Sequence, residues 1–253
     1  LRSPALSEMR TSTRSLSILM GRPPASPDDP PLRSALTPPT VPSPAMSPDP
    51  VRFTVTTDDG VRLDADGVEP AGAWASVVLC HPHPRYGGNR HAGLVGHLFA
   101  ALPPLGVRTM RFDFRGVGRS TGSHGGGGAE RADVAAAVER WATDHTTGPL
   151  ATVGWSFGGD VSLATDHPAL DRWCAIAAPL SVLDPGTMVA ATDPRPKLLC
   201  VPEHDEFRPP ADVAPLVADW PTTTVATVGG ASHLLLGRYE AVTDLVAGFL
   251  REA

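Results

Sequence analysis

Three residues far apart in the chain carry the chemistry of an activated nucleophile: Ser156, Asp205 and His233. Ser156 is the centre of Gly154-Trp155-Ser156-Phe157-Gly158, a G-x-S-x-G pattern. The pattern marks a sharp strand-to-helix turn that presents a serine Oγ at the tip of a sheet. Its glycines let the backbone turn without Cβ clashes. The N–H of the following residue, Phe157, then points to where an oxyanion would form. In a chain with 25 glycines the pentapeptide alone says little, and a serine in an ordinary glycine turn is the bland alternative. Its flanks add weight. The apolar, β-prone run 150–153 precedes it, and a helix over 157–167, stopped by Pro168, is expected after it.

In an open α/β sheet ligands bind beyond the carboxyl ends of the strands, so the residues just past each expected strand carry the most weight. Glu203-His204-Asp205-Glu206 comes after a strand at 197–202, and Gly229-Gly230-Ala231-Ser232-His233 after one at 223–228. The order is serine, acid, histidine. His233 would take the proton of Ser156, and Asp205 would fix the histidine tautomer and stabilise the imidazolium. The alternatives are a capping or solvated Asp205 and a loop His233, with Glu203, His204 and His167 as rivals. A second oxyanion donor should come from Cys80-His81-Pro82-His83-Pro84-Arg85-Tyr86-Gly87-Gly88-Asn89. Prolines have no N–H to give, which leaves the N–H of His83, with Arg85 as the fallback. The rival for this stretch is a metal site from His81, His83, His91 and His97. His81 and His83 are two apart in extended backbone and diverge, and no carboxylate accompanies them in the loop, so no metal and no cofactor are expected.

These groups need a scaffold to position them. Asp58-Asp59-Gly60 joins two β-prone runs, 51–57 and 61–67, as a hairpin. Strands are expected at 74–80, 107–112, 173–178, 197–202 and 223–228, and helices at 91–102, 129–145, 212–218 and 239–250. Strands alternating with helices after an initial hairpin define an α/β fold with a mostly parallel sheet covered on both faces. Arg111-Phe112-Asp113-Phe114-Arg115-Gly116-Val117-Gly118-Arg119-Ser120 reads as a structural loop. In it Asp113 is braced by an arginine, and a substrate role for Arg115 or Arg119 is the lesser reading.

Composition bounds the partners. The net charge of −6 leaves no electrostatic footprint for nucleic acid. No apolar run reaches the ~20 residues that span a bilayer, so no membrane partner is expected. Cys80, Cys174 and Cys200, odd in number and widely spaced, read as buried free thiols of a reducing compartment, and the expected location is cytoplasmic. Twelve of the 28 prolines fall between Pro4 and Pro50. Residues 1–48 therefore read as a disordered, dispensable tail that buries too little apolar surface to offset its ordering, and 49–253 as one domain. A signal peptide is the competing reading of the tail, but Leu16-Ser17-Ile18-Leu19-Met20 is shorter than the ~7–15 apolar residues such a segment uses.

Together LCHPHPRYGGN, RFDFRGVGRSTG, GWSFGG, PEHDEFRPP and GASHLLLGR resemble the α/β-hydrolase superfamily. The chain is most similar to small lidless bacterial hydrolases with a His-Pro-His-Pro loop, close to the dienelactone-hydrolase-like and serine-aminopeptidase-like branches, over about residues 51–253. The resemblance implies Ser156, Asp205 and His233 as a triad acting on a small-molecule, ester-type bond. Dienelactone hydrolases carry cysteine at the elbow; Ser156 departs from that pattern. Only 179–196 separates the expected strand after the elbow from the next, too short for a helical cap, so an open site favouring short or compact acyl groups is expected. The rival functions are a peptidase, for which Glu203 and Glu206 could hold a substrate amino terminus, and a non-catalytic scaffold.

Overall fold

The computed structural model describes residues 48–143 and 148–252. The expected Pro-rich tail lies outside these residues except for its last position, as does the expected end of the 129–145 helix. Asp58-Asp59-Gly60 closes the predicted hairpin between β1 (Val51–Thr56) and β2 (Arg62–Val68), which pair antiparallel. Gly60 takes φ +81° at the turn. The continuous apolar runs form β3 (Ala75–Cys80), β4 (Val107–Phe112), β5 (Leu150–Trp155), β6 (Arg172–Ile176) and β7 (Lys197–His204), and β8 (Thr223–Ser232) closes the sheet. The strand order is β1-β2-β4-β3-β5-β6-β7-β8. β2 meets β4 antiparallel, and from β4 to β8 every pair is parallel.

Helices cover both faces, as a sheet of buried apolar strands requires. α2 (Glu130–Ala142), α3 (Phe157–Leu163) and α4 (Pro210–Leu216) pack with Val134, Val138, Val161 and Val213 on one side. α1 (Gly93–Ala101) and α5 (Tyr239–Arg251) pack with Leu94, Leu98, Val242 and Val246 on the other. Between β6 and β7 the chain makes two short 3₁₀ turns, Pro185–Thr187 and Val189–Ala191, and no cap.

Several boundaries shift by one or two residues, β7 among them, which runs on to His204 rather than ending at residue 202, and three differences bear on the site. α3 ends at Leu163 rather than at residue 167. The residues past it serve tertiary bonds: the Thr165 carbonyl accepts from Trp173 Nε1 and the His167 carbonyl from Arg195. β6 stops at Ile176, because Ala177 turns to φ +47°. β8 runs on through Gly229 and Gly230 to Ser232, where the sequence predicts loop. Glu203 Oε2 accepts the Gly230 N–H at 2.7 Å, and Glu206 Oε2 accepts the His233 N–H at 3.0 Å, so acid side chains supply acceptors along the extension.

Backbone against backbone sets the site. A Cβ on Gly158 would overlap the Cys80 carbonyl and lie 2.6 Å from the His81 carbonyl oxygen. The start of α3 thus sits directly on the loop after β3, with no side chain between. Gly158→Ala must push two main chains apart, which costs about 1–3 kcal/mol and lowers the melting temperature by roughly 2–12 °C. Thermal unfolding checks this; a wild-type transition would mean that the contact is not tight.

Candidate active site

Ser156 stands between β5 and α3 at φ +53° and ψ −118°. A non-glycine residue holds so sparsely populated a conformation only when its surroundings fix it, at a cost of about 1–3 kcal/mol. The Ser156 N–H donates to the Ile176 carbonyl at 2.8 Å, and its carbonyl accepts from Gly159 and Asp160. A Cβ on Gly154 would lie 2.6 Å from the Gly159 nitrogen, so the turn closes only over glycine.

The histidine and the acid arrive from the neighbouring strand ends. Ser156 Oγ is 3.0 Å from His233 Nε2, and His233 Nδ1 is 3.1 and 3.0 Å from the two Asp205 oxygens. Asp205 is buried, and its Oδ1 also accepts the N–H groups of Phe207 at 2.8 Å and Arg208 at 3.1 Å. A carboxylate only accepts, so the Nδ1–H points at Asp205 and Nε2 is left to accept the serine proton. The structure therefore brings the three sequence-predicted residues into one hydrogen-bonded line. The rivals lie elsewhere. His204 is largely exposed near Glu203, and His167 Nε2 pairs with Glu139 at 2.9 Å.

The loop after β3 is organised by a histidine that faces away from a ligand role. His81 is buried; its Nδ1–H donates to the Pro82 carbonyl at 2.6 Å and its Nε2 accepts the Phe114 N–H at 3.0 Å. Burial pushes its pKa down to about 4, so both ring nitrogens serve the neutral form. Among the described residues no group of three or more His, Cys, Asp and Glu could hold a metal. His83 presents its ring 4.9 Å from that of Phe157. Its Nδ1 accepts the Arg85 N–H at 3.1 Å, so the fallback oxyanion donor is already taken. The N–H groups of His83 and Phe157 have no protein acceptor among the described residues; Phe157 opens α3, where such groups are free.

A cleft of about 450 Å³ lies over Ser156. Its walls are mostly apolar, with Tyr86, Trp155, Phe157, Val182, Phe207 and Leu234 prominent, and no carboxylate lines it. Glu203 and Glu206 are spent on the backbone of β8 and its end. Sequence reasoning missed three contributors. Phe207 packs its ring 4.4 Å from His233. Arg208 Nε donates to the Pro179 carbonyl at 2.8 Å. Asp160, buried in α3, accepts the N–H groups of Leu180, Ser181 and Val182, each at 2.9 Å, and so holds the strand-to-loop segment that walls the cleft. Only the position of Asp160, one turn past the serine, was a signal.

In the loop after β4 the residues nearest the strand are braced by ion pairs. Asp113 is braced by Arg90, whose Nη1 lies 2.8 Å from it, and buried Arg115 is held by Asp133 and Asp59, away from any substrate role. Cys80, Cys174 and Cys200 are buried and unpaired. Among the described residues no helix is long and apolar enough to cross a membrane.

The fold is that of the α/β hydrolases without a lid. Residues 72–223 match the family of serine aminopeptidases, S33, and the chain belongs to that family. A solved α/β serine hydrolase without a lid, from Xanthomonas campestris, is 25% identical with a TM-score of 0.68, over 80% of this chain and 94% of that one. An α/β serine hydrolase homologue from Coxiella burnetii is 29% identical with a TM-score of 0.65, over 78% and 96%. An uncharacterized protein of Rickettsia prowazekii is 30% identical over 111 residues, 42% of this chain and 46% of the relative. The match thus spans about half the length of that curated relative.

Burial pushes the Asp160 carboxyl up to about 6, against the pull of its three N–H donors. A raised folded-state value means that the folded chain holds the proton longer than the unfolded one. The ionised form is therefore penalised, and this group's stability falls as pH rises from about 4 to 6, by about 3 kcal/mol. Unfolding free energies of wild type and Asp160→Asn should show wild type losing ground over that interval and none above it. A difference that grows with pH would show that the three donors outweigh burial.

Proposed function

We propose that the chain is a serine hydrolase that cleaves a small ester-type substrate through an acyl-enzyme on Ser156. The observation that carries this is the unbroken line from Ser156 Oγ through His233 to buried Asp205. In the first half-reaction His233 Nε2 takes the Oγ proton as Oγ attacks the carbonyl carbon. Asp205 stabilises the imidazolium, and the N–H groups of Phe157 and His83 receive the oxyanion. The imidazolium returns the proton to the departing alcohol. In the second half-reaction His233 activates a water, which attacks the acyl carbon and releases the acid and Ser156.

The family's description makes peptide hydrolysis the second reading. Holding a substrate amino terminus needs a carboxylate beside the nucleophile. The cleft walls offer none, and Glu203 and Glu206 already accept backbone N–H groups. An ester is therefore the better substrate. The non-catalytic scaffold reading leaves the strain at Ser156 without a purpose.

Ser156→Ala and His233→Ala should each lower kcat on a chromogenic acetate ester by about 10⁴-fold or more, because the residues act as a unit. Melting temperatures should stay near wild type. Wild-type turnover by Ser156→Ala would end this reading.

The uncapped cleft also sets acyl length. Each buried methylene is worth only ~0.8 kcal/mol, and chain beyond the cleft buries nothing. Across esters from acetate to palmitate, kcat/KM should peak at the short end. A maximum at palmitate would show that another surface covers the chain.

A further inference from the structure

A second groove, of about 670 Å³, lies on the other side of the loop after β3 and shares Gly87 and Gly88 with the cleft over Ser156. Its charge is unlike that of the molecule. The chain carries −6 overall, yet the groove is lined by Arg52, Arg85, Arg90 and Arg119 against only two carboxylates, Asp64 and Asp113. Those carboxylates are already satisfied by the inner arginines. Arg90 Nη1 lies 2.7 Å from Asp64 and 2.8 Å from Asp113, and Arg52 Nε donates to Asp64 at 2.7 Å. Arg85 and Arg119 are exposed at the rim, and among the described residues neither guanidinium meets a carboxylate. The imidazole of His83, which lines the cleft over Ser156, is held below its ordinary value by partial burial and then by the charges of His124 and Arg85.

We infer that the groove binds an anionic group, a carboxylate or a phosphate, on the alcohol part of the substrate. This rests on the ester-hydrolase reading. The apolar cleft takes the acyl part, and the alcohol part crosses Gly87 and Gly88, where no side chain stands in the way. Arg119 and Arg85 then meet the anion with fork-shaped donors suited to its oxygens. The chemical step is unchanged: the anionic alcohol leaves with the proton from His233, and water releases the acid.

The test compares kcat/KM for matched butyrate esters: phenyl against 3-carboxyphenyl, and glyceryl against its 3-phosphate. The two pairs separate carboxylate from phosphate recognition. Charge-assisted contacts of this kind should favour at least one anionic member by about tenfold at low salt, less at high salt. Arg119→Glu should reverse the preference. A wild-type preference for both neutral esters, or an anionic preference unchanged in Arg119→Glu, overturns the inference. If no ester is turned over, the hydrolase reading falls, and the groove is still decided by calorimetric titration of inorganic phosphate into the full chain. Heat in wild type that Arg119→Glu abolishes supports the groove, and equal heats overturn it.

Discussion

The strained turn at Ser156 is the constraint on which the rest of the structure depends. A serine at φ +53° relaxes unless something heavier holds it. Main chain packed on main chain holds it: Gly154 against Gly158 and Gly159, and Gly158 against the carbonyls of Cys80 and His81. These contacts fix more than the serine. They lock the start of α3 to the end of β3, and so fix the Phe157 N–H relative to the loop that carries His83. The small residues of the elbow bring two loops together as well as permitting a turn.

The remaining groups are held by the same economy of short polar bonds. The Asp205 carboxylate takes two loop N–H groups as well as the histidine, which leaves it little freedom to rotate. His233 is positioned by its ring, by its own N–H to Glu206, and by its carbonyl, which accepts from Trp155 Nε1 at 3.4 Å. Asp160 draws the segment after β6 down onto α3, and Arg208 ties that segment to the loop of the acid. The nucleophile, the acid and the cleft wall are thereby one connected unit without a cap over it.

Much of this was legible in the sequence where chemistry and local pattern coincide. The G-x-S-x-G turn, the hairpin at Asp58-Asp59-Gly60 and the order of serine, acid and histidine at strand ends all carry local signals. The features that were not legible are long-range. A glycine pair in 229–230 reads as loop, and the carboxylate of Glu203, 27 residues away, supplies an acceptor for the Gly230 N–H along the strand extension. The arginine that braces Asp113 is Arg90, which lies in another loop, while the nearby Arg115 serves Asp133 and Asp59. Asp160 looked like an ordinary helix residue because its three partners come from beyond the next strand. The short end of α3 likewise reflects bonds made by Thr165 and His167 to distant side chains.

The central claim is that the line of Asp205 and His233 makes Ser156 uniquely nucleophilic. Treatment of the full chain with a fluorophosphonate, followed by peptide mass spectrometry, reads this directly. The account predicts one phosphonyl group per chain, on Ser156, with labelling lost in His233→Ala. An unlabelled chain, or a label on another residue such as Ser181 in the cleft wall, would contradict it.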